Sequence, residues 1–128
     1  TSSTIVAKSI SAGDDITTYR GLVKVLHAAE ESKVSVACDA LLLDEVSVSN
    51  TYPTMQISTS EVDMAHEARV GRIGEEELFY LRSRGFSTER AMQMIVSGFV
   101  EPIVKSLPLE YAVELNKLIL LEMEGSVG

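Results

Sequence analysis

Up to about Gly71, apolar and polar residues alternate with a period of two, and Val, Ile and Thr recur. Beyond Gly74 the apolar positions return every three or four residues. The first pattern is that of half-buried strands and the second that of amphipathic helices. Strands are predicted over 5–10, 17–28, 33–43, 55–59 and 62–70, with turns at Gly13-Asp14-Asp15, Glu30-Glu31-Ser32, Asp44-Glu45 and Asn50-Thr51-Tyr52-Pro53. No helical segment separates the strands. That excludes βαβ units and leaves a sandwich, a barrel or the stacked coils of a β-helix.

The second half predicts three helices. Glu75-Glu76-Glu77 opens the first, where carboxylates suit the positive end of the helix dipole, and Leu78, Phe79 and Leu81 form its apolar side. Gly85 is placed to stop it and Ser87 to cap the next, which carries Ala91, Met94, Ile95 and Phe99 at helical spacing. Pro102 and Pro108 punctuate the chain beyond Phe99. Pro108 suits the first turn of a last helix with Ala112, Leu115, Ile119 and Met123 inward and Gly125 at its end.

Composition narrows the function classes. The formal net charge of −8 is spread evenly over residues 1–73 and 74–128. It argues against nucleic-acid binding, which draws on excess Lys and Arg, and against docking on an anionic membrane. No stretch approaches the ~20 apolar residues of a membrane span. The single cysteine makes no internal disulfide, so a reducing, cytoplasmic setting is expected. The start, Thr1-Ser2-Ser3-Thr4, has neither an initiator Met nor the basic and apolar regions of a signal peptide, as expected of a piece of a longer protein.

That cysteine, Cys38, sits in a strand and shares a face with Val34, Val36 and Ala40. It reads either as a small buried hydrophobe or as a thiolate that binds iron or carries sulfur. The neighbouring Asp39 raises a thiol pKa unless a metal or cation offsets it, so a functional Cys38 favours metal over unassisted nucleophilic chemistry. His66 and Glu67 are the other donors. Adjacent strand residues face opposite sides, so both reach one metal only if the backbone kinks there. A Cys-His-Glu nucleophile would make an acyl-transfer enzyme, but no Gly-rich turn into a helix follows the cysteine to form an oxyanion hole. Zinc usually takes four strong ligands, and an iron–sulfur centre several cysteines. With one cysteine, a cluster would be held by mixed ligands or between subunits, and would suit release. No phosphate-binding glycine motif is present.

Several segments carry a resemblance. Thr18-Tyr19-Arg20-Gly21-Leu22-Val23-Lys24, Cys38-Asp39-Ala40-Leu41-Leu42, Asn50-Thr51-Tyr52-Pro53 and His66-Glu67-Ala68 are similar to the C-terminal part of the SufB/SufD family, the iron–sulfur cluster scaffolds of the SUF system. So are Glu77-Leu78-Phe79-Tyr80-Leu81-Arg82-Ser83-Arg84-Gly85, Leu107-Pro108-Leu109-Glu110-Tyr111-Ala112-Val113-Glu114 and Leu121-Glu122-Met123-Glu124-Gly125-Ser126-Val127-Gly128. Cys38 points to the SufB side of the family.

The resemblance implies a mixed β and α chain: the terminal coils of a right-handed parallel β-helix over 1–73, then a small helical domain over 74–128. It implies a non-enzymatic scaffold that holds a nascent, transient iron–sulfur cluster at a subunit interface for transfer to apoproteins. Cys38, His66 and Glu67 would be its cluster and metal ligands. Ala65 stands where some members have a further Glu. The implied partners are a SufC-type ATPase on the helical domain, SufD or a second SufB at the β-helix edge, and a sulfur donor. The alternative is a docking module that supplies the edge and the ATPase-binding helices without binding a cluster.

Overall fold

The computed structural model describes residues 1–126. Val127 and Gly128, the end of the last resembling segment, lie outside the described residues. The chain divides into two compact units, Thr1–Gly71 and from Arg72 on.

The first unit contains β1 (Ser2–Ser11), β2 (Ile16–Val25), β3 (Ser32–Leu42), β4 (Val48–Ile57) and most of β5 (Val62–Arg72). One sheet has the order β1-β3-β5 and the other the order β2-β4. β1 is parallel to β3, from Ser2 opposite Lys33 to Ser11 opposite Leu42. β2 is parallel to β4, from Ile16 opposite Val48 to Val25 opposite Ile57. The chain therefore visits the two sheets in turn and returns to each one strand further on. Buried Val25, Val34, Val36 and Cys38 form the core, with Ala7, Tyr19, Val23, Val62 and Met64 packed against them.

Two strand expectations need correction. The second strand ends at Val25 instead of running to residue 28, because Leu26 to Ala29 close a turn in which the Ala29 N–H donates to the Leu26 carbonyl at 3.0 Å. The Asn50–Pro53 segment is not a turn but the middle of β4. Proline is excluded from a strand only where its N–H is needed by the ladder. The N–H groups of Val48 and Ser58 donate to the Asp15 and Val25 carbonyls of the β2 side, at 3.0 and 2.9 Å. Backbone groups alternate sides along a strand and the register does not slip, so even-numbered residues bond toward β2. Pro53 is odd, and its missing N–H falls on the edge away from β2.

The second unit holds α1 (Glu75–Ser83), α2 (Thr88–Val104) and α3 (Leu109–Ser126). Gly85, at φ +95°, closes α1: its N–H donates to the Arg82 carbonyl at 3.0 Å, and that of Phe86 to Leu81 at 3.3 Å. These are the two hydrogen bonds of a Schellman stop. The Ser87 hydroxyl accepts from the Arg90 N–H at 3.2 Å and caps α2. Leu78 and Leu81 are half-buried, whereas Phe79, expected beside them, is 74% exposed. It lies about 100° round the helix from Leu78. In α2, Ala91 is buried as expected, with Val96 as its companion, while Met94 is exposed. Pro102 does not end α2 but lies inside it, close to its C-terminus. The residue four before it, whose carbonyl a proline ring crowds, is Gly98, which brings no side chain to the crossing. Pro108 sits just before α3, where its carbonyl accepts from Ala112 at 3.0 Å. Ala112, Leu115, Ile119 and Met123 form the more buried stripe, and α3 runs one residue past Gly125.

Candidate metal centre

Period-two alternation in β3 turns Val34, Val36, Cys38, Ala40 and Leu42 into the interior. In β5 it turns Val62, Met64 and His66 the same way, each half-buried, between the exposed Asp63, Ala65 and Glu67. β3 and β5 are neighbours in one sheet. The two inward rows meet at Cys38 and His66, whose Sγ and Nε2 lie 3.8 Å apart. Cys38 is 5% exposed. Burial pushes its thiol pKa up, and the charge of Asp39 adds to the rise. The thiol is thus protonated at neutral pH unless a cation displaces the proton.

The separation suits two ligands of one ion. Bonds of about 2.3 Å to sulfur and about 2.1 Å to nitrogen at a tetrahedral angle put the two donors about 3.6 Å apart. A thiolate and an imidazole are both good ligands for iron-group metals.

The structure separates the third expected donor from this pair. β5 is continuous through Glu67, so no kink turns its carboxylate inward. Glu67 faces outward and its Oε1 lies 3.4 Å from Nε of Arg69. Nε of Arg69 is also 3.2 Å from Asp39, which receives Nζ of Lys8 at 3.1 Å. Lys8 and Asp39 are register partners in β1 and β3, so this charge row runs across the outer face of the sheet whose inner face carries Cys38. Among the described residues, no group of three or more His, Cys, Asp and Glu side chains is arranged to hold a metal ion. Among the described residues, Cys38 and His66 are the two donors that meet on the inner face.

Arg20, on the outward face of β2, stacks on an aromatic ring of the neighbouring strand. Its guanidinium lies 5.3 Å from the centre of the Tyr52 ring, on its register partner in β4. A cavity of about 280 Å³ lies beside Cys38, lined also by Ala7, Thr17, Tyr19, Ser49 and Thr51. The sequence gives no sign of it beyond the small side chains at positions 7, 17, 49 and 51.

A family model described as SUF system FeS cluster assembly, SufBD core domain, matches residues 1–99. The chain belongs to this family. It is 57% identical over all 128 residues to an iron-sulfur cluster assembly SufBD family protein of Mycobacterium bovis, covering 15% of that protein. It is 52% identical over its whole length to the iron-sulfur cluster assembly protein SufB of Bacillus subtilis, and 50% identical to a SufBD family protein of Staphylococcus aureus, covering 28% of each. The chain thus spans less than a third of the SufBD relatives it matches. Family membership connects it with iron–sulfur cluster assembly by the SUF system. No helix among the described residues is long and apolar enough to cross a membrane.

Proposed function

We propose that this chain is the part of a SufB-type scaffold that contributes two ligands to a nascent iron–sulfur cluster, which is cargo and not a resident cofactor. The observation that carries the reading is the 3.8 Å approach of Cys38 Sγ to His66 Nε2, from strands far apart in sequence. The raised thiol pKa fits it: the thiol stays protonated and unreactive until iron arrives, and then gives up its proton to the metal. Two donors cannot complete the coordination of a cluster, so the rest come from a second subunit, SufD or another SufB, or from exchangeable groups. Incomplete ligation makes the cluster easy to hand on to an apoprotein.

In this reading the alternating parallel sheets are coils of a right-handed β-helix, and the chain is a cytoplasmic scaffold rather than an enzyme. A sulfur donor supplies sulfide. The second subunit meets the β-helix edge. A SufC-type ATPase docks on the helical unit, whose exposed Phe79, Leu109 and Leu121 offer apolar area for it. Glu67, held outward beside Arg69, serves the cluster only at the outer face of β5 or after leaving that ion pair.

A second reading, a docking module without a cluster, is favoured by the burial of Cys38 among Val25, Val34 and Val36. Anaerobic reconstitution of the full-length protein with iron and sulfide separates the two. On the scaffold reading, Cys38→Ser abolishes the visible absorption of the cluster and His66→Ala reduces it. Unchanged absorption in Cys38→Ser favours the docking module.

A further inference from the structure

Gly21 lies on β2 two residues after Tyr19, on the same inward face. A Cβ placed on Gly21 would stand 2.6 Å from the Tyr19 hydroxyl oxygen and 2.9 Å from two of its ring carbons. A real β-carbon essentially never comes so close to a neighbouring atom, so the Tyr19 ring fills the space that a side chain at position 21 would take. The cavity beside Cys38 lies on the other side of Tyr19: its wall on β2 is Thr17, Thr18 and Tyr19, and Gly21 takes no part in it. Tyr19 therefore leans over Gly21 and away from the Thr17 side of the cavity, while still packing against the core cluster that contains Cys38.

We infer that Gly21 is a positioning residue for Cys38: its missing side chain lets Tyr19 lean away and keeps open the 280 Å³ cavity beside the sulfur. The space is worth about nine water volumes, at about 30 Å³ each, far more than a single metal ion needs. With a β-carbon at position 21, the strand's inward face offers the ring one direction of escape, toward Thr17 and into the cavity. The register supports this. Gly21 faces Pro53 and Tyr19 faces Thr51, so the wall across β4 on the Gly21 side is a proline ring and on the cavity side a small threonine. Tyr19 and Gly21 together set the size of what can sit beside the thiol. Their importance for cluster assembly rests on the scaffold reading, but their effect on access to the sulfur does not.

The test is alkylation of Cys38 in the full-length protein, followed on its own peptide by mass spectrometry, with iodoacetamide as the small reagent and an N-aryl maleimide as the large one. Gly21→Ala slows the large reagent about tenfold and the small one less, and adding Tyr19→Ala restores both rates. Tyr19→Ala alone, which keeps the glycine, speeds the large reagent. A rate in Gly21→Ala that is unchanged, or raised equally for both reagents as local unfolding would raise it, overturns the role given to Gly21. So does a Tyr19→Ala rate equal to wild type. Cluster reconstitution of Cys38→Ser, run beside the alkylation of the Gly21 and Tyr19 variants, separates this from the scaffold reading. If Cys38→Ser keeps its cluster while the alkylation rates follow the expected order, the scaffold reading fails and the Gly21–Tyr19 arrangement stands.

Discussion

The backbone N–H of Gly13 donates to Oδ2 of Asp44 at 2.6 Å, tying the turn after β1 to the turn after β3. The two residues are 31 apart, the same offset as the Lys8–Asp39 pair and the Thr1–Ser32 hydroxyl pair. One carboxylate thus staples two successive circuits of the chain. It also orders its own turn, accepting from the N–H groups of Ser47 at 2.6 Å and Val46 at 3.0 Å and from the Ser47 hydroxyl at 2.8 Å.

These donors, the Ser47 N–H first among them, hold the Asp44 carboxyl down from 3.8 to about 2. A depressed folded-state pKa means that the carboxylate stabilises the fold at pH values above its unfolded value. That stabilisation is lost as the pH falls from about 3.8 through about 2. Asp44→Ala is expected to lower the melting temperature at pH 7, and the gap to wild type to close between pH 4 and pH 2. Thermal melts by circular dichroism across that range check it. A constant gap down to pH 2 would mean that the side chain acts through packing and not through its charge.

The Cys38 thiol offers a second titration. Its pKa is raised by burial first and by the Asp39 carboxylate second. The midpoint of its alkylation rate against pH should therefore lie higher in the native protein than in urea. Asp39→Asn should move the native midpoint down without bringing it to the urea value, because the burial contribution remains. A midpoint unmoved by Asp39→Asn would remove the electrostatic part of the explanation.

How much of this was legible in the sequence depends on range. The Gly85 stop, the Ser87 cap and the Ala112–Met123 stripe rest on neighbours within a few residues, and all are found where the residue types put them. The inward direction of Cys38 follows from alternation alone. Its meeting with His66 needs the order β1-β3-β5, which is set by packing between distant segments and is not written in either strand. Alternation also warned that His66 and Glu67 face opposite ways, and an unbroken β5 keeps them so. Pro53 reads as a turn because composition does not reveal which edge of a strand is paired. The lean of Tyr19 over Gly21 is a matter of rotamer, which no pattern of residue types carries.

Gly85 has a positive φ of 95° that a side chain disfavours. Gly85→Ala is expected to destabilise the helical unit by roughly 1–2 kcal/mol, the cost of forcing an L-residue into the left-handed region. Urea titration followed by far-UV circular dichroism reads the shift. Gly71→Ala is the control, because no atom lies within 4 Å of a Cβ there and its φ is not positive. It should leave the midpoint close to that of wild type.

The parity of β4 makes the sharpest structural prediction. Even-numbered residues of that strand direct their N–H groups toward β2 and odd-numbered ones direct them to the other edge, as the bonds from Val48 and Ser58 and the unslipped register require. Proline should therefore be tolerated by turns along the strand. Thr51→Pro, two residues before the natural Pro53, removes an N–H that β2 does not use. Thr54→Pro removes one that it does, costing a ladder hydrogen bond of about 1 kcal/mol net and crowding its ring against β2. The second variant should melt well below the first, and hydrogen exchange should show loss of protection in β2 opposite position 54 only in that variant. Equal destabilisation by both substitutions would contradict the assignment of the paired and open edges, and with it the account of how Pro53 is accommodated within β4.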